Sequence, residues 1–170
     1  MKNLFSISLL LVTLISGPIA NAQKFAGQSV ERTDGTAFFT VNRSNGQLAF
    51  MLDYGSNAGI WKNYGGTIRE SGKNSLSFHA TERTDGSAFF AMDETGQMYF
   101  MLDYGSNAGV WKSYGGLVPG AGERHFEFEV EERTDGTAFF AIDTEDGQLY
   151  FLLDYGSNAG NWKAYGGTIE

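Results

Sequence analysis

The residues best suited to chemistry lie in a loop, LDYGSNAG, that occurs three times without a change, starting at residues 52, 102 and 153. In the first copy Asp53, Ser56 and Asn57 supply a carboxylate, a hydroxyl and an amide, and Trp61 and Tyr64 follow closely. Planar hydrogen-bonding groups beside an aromatic ring suit sugar recognition, since a pyranose has hydroxyls at its rim and C–H groups on its faces. The predicted ligand-binding residues are Asp53, Ser56, Asn57, Trp61, Tyr64, Asp103, Ser106, Asn107, Trp111, Tyr114, Asp154, Ser157, Asn158, Trp162 and Tyr165.

The same loop has a structural interpretation, which the sequence leaves open. Gly55 and Gly59 allow backbone conformations that other residues avoid, and Asn57 tolerates positive φ. The carboxylate of Asp53 could accept hydrogen bonds within a turn. The segments linking the units differ from one another while the loop does not, so either a ligand or the fold constrains the loop.

The sequence favours neither an enzyme nor a metalloprotein. No nucleophile and base recur together. A glycosidase needs two carboxylates across one cleft, but Asp53, Asp103 and Asp154 belong to symmetry-related loops, which in a closed threefold body usually lie well apart unless they meet on the axis. His79 and His125 occupy different positions in their units. One carboxylate per loop is too few for a tight calcium site. We therefore expect no catalytic residues, no metal and no cofactor.

The loop belongs to a longer unit of about 50 residues, which begins with ERTDGTAFF or ERTDGSAFF and ends with WK-x-YGG. Such units must bury their apolar faces on one another. We expect a single domain over residues 23–170, with units at about 23–72, 73–122 and 123–170. The turn signals divide each unit into four strands, and no helical periodicity is present.

Several local features are expected within a unit. The Asp34-Gly35 pair predicts a tight hairpin with these two residues at its centre, and Arg32 could pair with Asp34. The third strand, Leu48–Tyr54, is apolar on both faces, which is typical of a sheet sandwiched between neighbours. The fourth strand is predicted from Trp61 to about Ile68.

The predicted fold class is all-β, with three tandem four-stranded antiparallel meanders related by pseudo-threefold symmetry. Separate blade-like or prism-like sheets are favoured slightly over the alternative, a β-trefoil. Monomeric propellers normally have at least four blades, so a six-bladed ring made from two chains is a further possibility. A homo-oligomer would provide such closure.

The first 22 residues predict a secretory signal peptide: Lys2 precedes an apolar run, and Ala20-Asn21-Ala22 fits a cleavage site. We expect a secreted or periplasmic protein after cleavage near Ala22. A net charge of −8 opposes binding to nucleic acid or to anionic lipid. No later segment is long and apolar enough for membrane insertion.

In outline, the order strand, glycine turn, strand and tryptophan in each unit is similar to the blades of sugar-binding propeller lectins, although no diagnostic motif of those lectins is present. This resemblance implies carbohydrate binding. The predicted function is a non-catalytic, multivalent binding module with three equivalent, lectin-like sites, whose partners are glycans or a cell-surface protein. The alternative is a structural or protein-interaction β-repeat protein of the cell envelope or extracellular matrix, without a small-molecule ligand.

Overall fold

The structure is a computed structural model that describes residues 24–68, 76–121 and 124–169. The predicted signal peptide and the segment 69–75 between the first two units lie outside these residues. The described residues form twelve strands and no helix, and so include no helix able to span a membrane. The strands are β1 Phe25–Arg32, β2 Gly35–Asn42, β3 Leu48–Leu52, β4 Lys62–Tyr64, β5 Ser77–Arg83, β6 Gly86–Met92, β7 Met98–Leu102, β8 Lys112–Tyr114, β9 Phe126–Arg133, β10 Gly136–Asp143, β11 Leu149–Leu153 and β12 Lys163–Tyr165.

Each unit forms its own antiparallel sheet with the strands in sequence order. We call these sheet 1 (β1–β4), sheet 2 (β5–β8) and sheet 3 (β9–β12). The prediction of an all-β protein with three tandem four-stranded meanders is confirmed. The sheets are separate, so the blade-like alternative describes the chain and the shared barrel of a trefoil does not.

Two details of the meander differ from the sequence-based expectation. Arg32 pairs with Gly35 across the first hairpin, so the central residues of that turn are Thr33 and Asp34. Gly35 instead begins β2 with φ at 146°, and a side chain there would overlap the carboxylate of Asp53. The fourth strand is only three residues long and pairs with Leu48, Ala49 and Phe50 of β3.

The three sheets stack face to face through aromatic side chains. Phe39 of sheet 1 meets the edge of Phe89 of sheet 2 at 4.9 Å between ring centroids, and Phe90 meets Phe139 of sheet 3 at 5.1 Å. Edge-to-face aromatic pairs of this kind are favourable beyond the area that they bury. Neighbouring sheets approach most closely at their first strands, β1 beside β5 and β5 beside β9.

Sheet 2 is covered on both faces, whereas sheets 1 and 3 are each covered on one. Every residue of β6 from Ser87 to Met92 is buried, which confirms the predicted sandwiching for this sheet. Met92 is 2% exposed, while Ile142 at the same position of sheet 3 is 37% exposed. Among the described residues, sheet 3 does not pack back onto sheet 1. The described residues therefore form an open row of three sheets.

Candidate functional site

The repeated loop leaves the end of the third strand and closes on itself through backbone hydrogen bonds. In the first copy the amide of Gly59 donates to the carbonyl of Leu52 at 2.9 Å, and the amide of Ala58 donates to Gly55 at 3.2 Å. Gly55 and Gly59 have φ of 75° and 76°, a region that favours glycine. These contacts explain both glycines without a ligand.

The closing glycine of the loop has a second role, which is contact with the preceding sheet. Gly109 lies against Gly65 of sheet 1, and its carbonyl accepts a hydrogen bond from the amide of Gly66 at 2.8 Å. A Cβ on Gly65 would lie 2.7 Å from that carbonyl oxygen. Only residues without side chains permit this approach of the two backbones.

The repeated aspartate is tied to the first hairpin of its own sheet. Oδ1 of Asp53 accepts a hydrogen bond from the backbone amide of Thr36 at 2.7 Å. The other two units make the same bond at the same length, with Asp103 and Asp154 as acceptors. The carboxylate thus links the β3–β4 loop to the start of the second strand, which accounts structurally for its repetition.

The repeated arginine links one sheet to the next. Nε of Arg32 donates to Glu82 of sheet 2 at 3.0 Å, and its NH2 group donates to the hydroxyl of Ser87. The same group lies 3.8 Å from Oδ2 of Asp103. Arg32 therefore reaches sheet 2 rather than its predicted partner Asp34. Burial alone would lower the pKa of Arg32, but hydrogen bonds to Tyr54 and Glu82 and the charge of Glu82 raise it.

The second junction repeats the first. Arg83 of sheet 2 donates to Glu132 of sheet 3 at 2.8 Å and to the hydroxyl of Thr137 at 2.6 Å. The charge-bearing ends of the two sheets border a cleft of about 580 Å³ that is also lined by Asp154 and Tyr104. Two consecutive junctions thus use the same arginine-to-acid arrangement.

The repeated tyrosines after the tryptophans also face the next sheet. Tyr64 lies 6.4 Å from Phe89, and Tyr114 lies 6.1 Å from Phe139, between ring centroids. Burial raises the pKa of Tyr64, and the charge of Asp103 adds to the shift. Tyr165, at the end of the row, is 67% exposed. These predicted site residues are therefore interface residues in two of three units.

The three tryptophans have three different environments. Trp61 is 50% exposed. Trp111 is half-buried, and its indole N–H donates to the carbonyl of Gly46 in sheet 1 at 2.9 Å. Trp162 is half-buried, and its indole nitrogen has no hydrogen-bond partner among the described residues. The predicted three equivalent aromatic platforms are thus present as one exposed ring and two that pack between sheets.

The loop tips carry the predicted polar residues that no sheet contact uses. Ser56 and Asn57 are exposed, and within the described residues their side chains bond only to each other, at 3.5 Å. The corresponding pairs in the other two loops are also exposed and share the same contact at 3.4 Å. Their repetition is the part of the loop that the fold explains least.

An open cleft with both aromatic and polar lining residues lies between sheets 1 and 2. It has a volume of about 720 Å³. Sheet 2 contributes Tyr99, Trp111 and Ser113, and the segment after β4 contributes Thr67. Gly109, the last residue of the second loop, forms part of its wall. Of the predicted site residues, Trp111 alone lines this cleft, with Ser106 and Asn107 three and two residues from its wall.

Tyr99, Ser113 and Thr67 were not among the residues predicted from the sequence. Tyr99 resembled a core position because it lies within a strand. Its place in the cleft depends on how two sheets stack. One signal was present: the first unit has Ala49 at the position of Tyr99, so the units differ where the cleft forms.

The part of the chain that the structure describes contains no group of three or more His, Asp or Glu side chains arranged to hold a metal ion. No model of a known protein family matches the chain, and neither a curated protein nor a solved structure matches it.

Proposed function

We propose that the protein is a non-catalytic carbohydrate-binding module whose principal site is the cleft between sheets 1 and 2. The observation that carries the proposal is the combination of an aromatic wall with hydroxyl groups in one open cleft of about 720 Å³. That volume is within the usual range of small-molecule sites. A sugar could place a C–H face on a ring and its hydroxyls against the polar groups.

The aromatic side chains of this cleft are held in place by hydrogen bonds. The indole of Trp111 donates to the carbonyl of Gly46, and the hydroxyl of Tyr99 donates to Asp93 at 3.1 Å. A platform that is already ordered loses little side-chain entropy on binding. Both contacts therefore favour a rigid binding surface.

The loop tip of the second unit lies close in sequence to the wall of the cleft. Ser106 and Asn107 precede Gly109, which lines the wall, and both are exposed. The same tips recur on sheets 1 and 3, where they would offer weaker secondary contacts to a long glycan. Several weak contacts on one body increase the overall affinity for a repeated ligand. The proposed sites are multivalent but not equivalent.

A structural or protein-interaction function is the second candidate, and the bonds of the repeated aspartates favour it. Asp53, Asp103 and Asp154 each bind a backbone amide, so their repetition needs no ligand. Replacing all three with alanine would change stability and binding together, and would not separate the two functions.

Substitutions in the cleft separate them. Tyr99→Ala and Ser113→Ala copy residues that the fold already holds at these positions in other units, Ala49 and Ala164. We expect the folded wild-type chain to bind one or more polysaccharides on a glycan array, and Tyr99→Ala to weaken binding at least tenfold in calorimetry. Asn63→Ala, at the position of Ser113 in sheet 1, is the matched control and should bind normally. A folded wild-type chain that binds no glycan would contradict the proposal.

Export belongs to the same proposal, because a glycan ligand is met outside the cytoplasm. The predicted signal peptide covers residues 1–22. Expression of the full chain with its native N-terminus, followed by mass measurement of the released protein, should show loss of these residues. Retention of the intact N-terminus inside the cells would contradict export.

A further inference from the structure

The two ends of the row carry the parts of the internal sheet junctions without their partners. Arg32 and Arg83 each reach an acid on the following sheet. Arg133, at the same position in sheet 3, is followed by no further sheet among the described residues, and it bonds to Glu131 of its own strand at 3.1 Å. Sheet 3 therefore presents the donor half of a junction.

Sheet 1 presents the acceptor half. The groups that receive Arg32 on sheet 2 are Glu82, Ser87 and Asp103. Sheet 1 has Glu31 and Thr36 at the first two of these positions, on its uncovered face. The position of Asp103 is that of Asp53. An arginine arriving from a preceding sheet would thus find the same three groups.

The two ends of the row also hold the donor and the acceptor of a tryptophan contact. Trp111 donates to the carbonyl of Gly46 in the preceding sheet. Trp61 is the tryptophan of sheet 1, is half-exposed, and has no preceding sheet among the described residues. Gly147 of sheet 3 corresponds to Gly46 and would supply the carbonyl.

The close glycine contact is also unmatched at the ends. A Cβ on Gly65 or Gly115 would press against the loop glycine of the next sheet, with a carbonyl oxygen at 2.7 Å and 3.1 Å respectively. A Cβ on Gly166, the same position in sheet 3, would meet nothing within 4 Å. A Cβ on Gly59, the loop glycine of sheet 1, would also meet nothing.

Apolar side chains remain uncovered on the same faces. Ile169 is 78% exposed, although Ile68 and Val118 at its position in the other units are 4% and 1% exposed. Ile142 and Tyr165 of sheet 3 are exposed as well. Exposed apolar groups rimmed by polar residues are typical of protein–protein contacts.

We propose that a second copy of this chain covers these faces, with sheet 3 of each copy docked onto sheet 1 of the other. The new junction would place Arg133 on Glu31, as at both internal junctions, and Trp61 on Gly147, as at the junction between sheets 1 and 2. Closed rings of four-stranded sheets typically have four to eight members. The three sheets formed by the described residues allow only six within that range, so the ring contains two chains. This inference does not depend on the carbohydrate proposal.

Three glutamates of β9 would lie at such a junction, with Arg133 beside one of them. Glu127, Glu129 and Glu131 lie on the uncovered face of sheet 3. Within the chain, Glu129 approaches His79 at 3.8 Å, and these two residues occupy the same position in consecutive units. The residue at that position in the next copy is the uncharged Gln28, whose side-chain oxygen accepts a hydrogen bond from the amide of Ala80 on sheet 2 of its own chain.

Paired charge substitutions test the arrangement. In the Arg133→Glu protein both junctions would oppose glutamate to Glu31, and in the Glu31→Arg protein both would oppose two arginines. A mixture of the two variants can form a ring in which both junctions join an acid to an arginine. We therefore expect each variant alone to have the mass of one chain by size exclusion with light scattering, and the mixture to have the mass of two.

Asp85→Arg is the control for Glu31→Arg, since it makes the same charge change in the exposed hairpin of sheet 2. This variant should keep the mass of two chains, like the wild type. Circular dichroism should show that all variants are folded. A wild-type chain that is monomeric, a mixture that stays at one chain, or assemblies that grow with concentration would each overturn the proposal.

Discussion

Sheets 2 and 3 have nearly the same sequence in their repeated segments, yet of the three described sheets only sheet 2 has a neighbour on each face. Arg83 of sheet 2 binds Glu132 and Thr137 of the next sheet, whereas Arg133 of sheet 3 turns to Glu131 beside it. The comparison shows that the repeated arginine, tyrosine and glycine residues are junction residues. Their presence at both ends of the row is what a further junction would require.

The largest expected difference in stability is between two phenylalanines at equivalent positions of the repeats, one buried and one on an open face. Phe89 of sheet 2 is 1% exposed and contacts Phe39 and Phe78. Phe89→Ala should reduce the free energy of unfolding by about 3–5 kcal/mol. Phe38 lies on the open face of sheet 1. In a single chain that is not assembled with a second copy, Phe38→Ala should reduce the free energy of unfolding by less than half as much, as measured by urea unfolding. Equal losses would show that this face is already covered within the chain.

The next comparison is between the stabilities of alanine variants at two glycines that are equivalent in sheets 2 and 3. Gly115 and Gly166 have φ of 68° and 71°, so alanine is strained at both. At Gly115 the new methyl would also lie 2.7 Å from Leu152 Cδ1, whereas at Gly166 it meets nothing. Gly115→Ala should therefore be less stable than Gly166→Ala by about 1–3 kcal/mol in denaturant unfolding of the separated chain. Equal stability would contradict the close contact of sheets 2 and 3.

The stability that is lost when a repeated aspartate is replaced should depend on how deeply the residue that donates a hydrogen bond to it is buried. Asp103→Ala leaves the amide of Ser87 without its acceptor, and Ser87 is fully buried. We expect a loss of about 1–3 kcal/mol, as for other buried unsatisfied groups. Asp53→Ala should cost less, because water can reach the half-buried Thr36. Thermal unfolding of the two variants side by side measures the difference, and a larger loss for Asp53→Ala would contradict it.

The smallest effect concerns the pH dependence of the junction between sheets 2 and 3. Burial lowers the pKa of His79, although the charge of Glu132 opposes the shift. The unfolded chain takes up the proton near pH 6.5, before the folded chain does. Stability should therefore fall as the pH is lowered from about 6.5 through the pKa of the folded state.

The variant His79→Gln, which copies Gln28 of sheet 1, should flatten this part of the stability profile. His125→Gln leaves His79 in place and is the control. Urea unfolding at a series of pH values between neutral and mildly acidic measures both variants, and an unchanged slope in His79→Gln would rule out this origin.

Much of the fold could be predicted from the sequence because repetition and alternation are local signals. Three units, four strands each and a doubly covered inner sheet follow from them. The position of the first turn was missed by one residue, because Asp34-Gly35 has the composition of a turn centre while Gly35 is needed beside Asp53. The fourth strand was predicted too long, since its extent depends on pairing with β3.

The candidate site was less predictable, because it depends on contacts between units. Asp53 looked like a ligand-binding residue, but its bond to Thr36 involves a strand 17 positions away. The roles of Arg32 and Trp111 depend on residues 50 and 65 positions away, on other sheets. An exact repeat in sequence indicates a shared constraint without showing whether that constraint is a ligand or a neighbouring sheet.

Sedimentation equilibrium of the wild-type chain without its predicted signal peptide, over a wide range of concentrations, tests the central claim most directly. The repeated residues are interpreted as junction residues, and the open faces of sheets 1 and 3 then require a partner. We predict a single closed species with the mass of two chains that does not grow as concentration rises. A mass of one chain throughout would contradict the account.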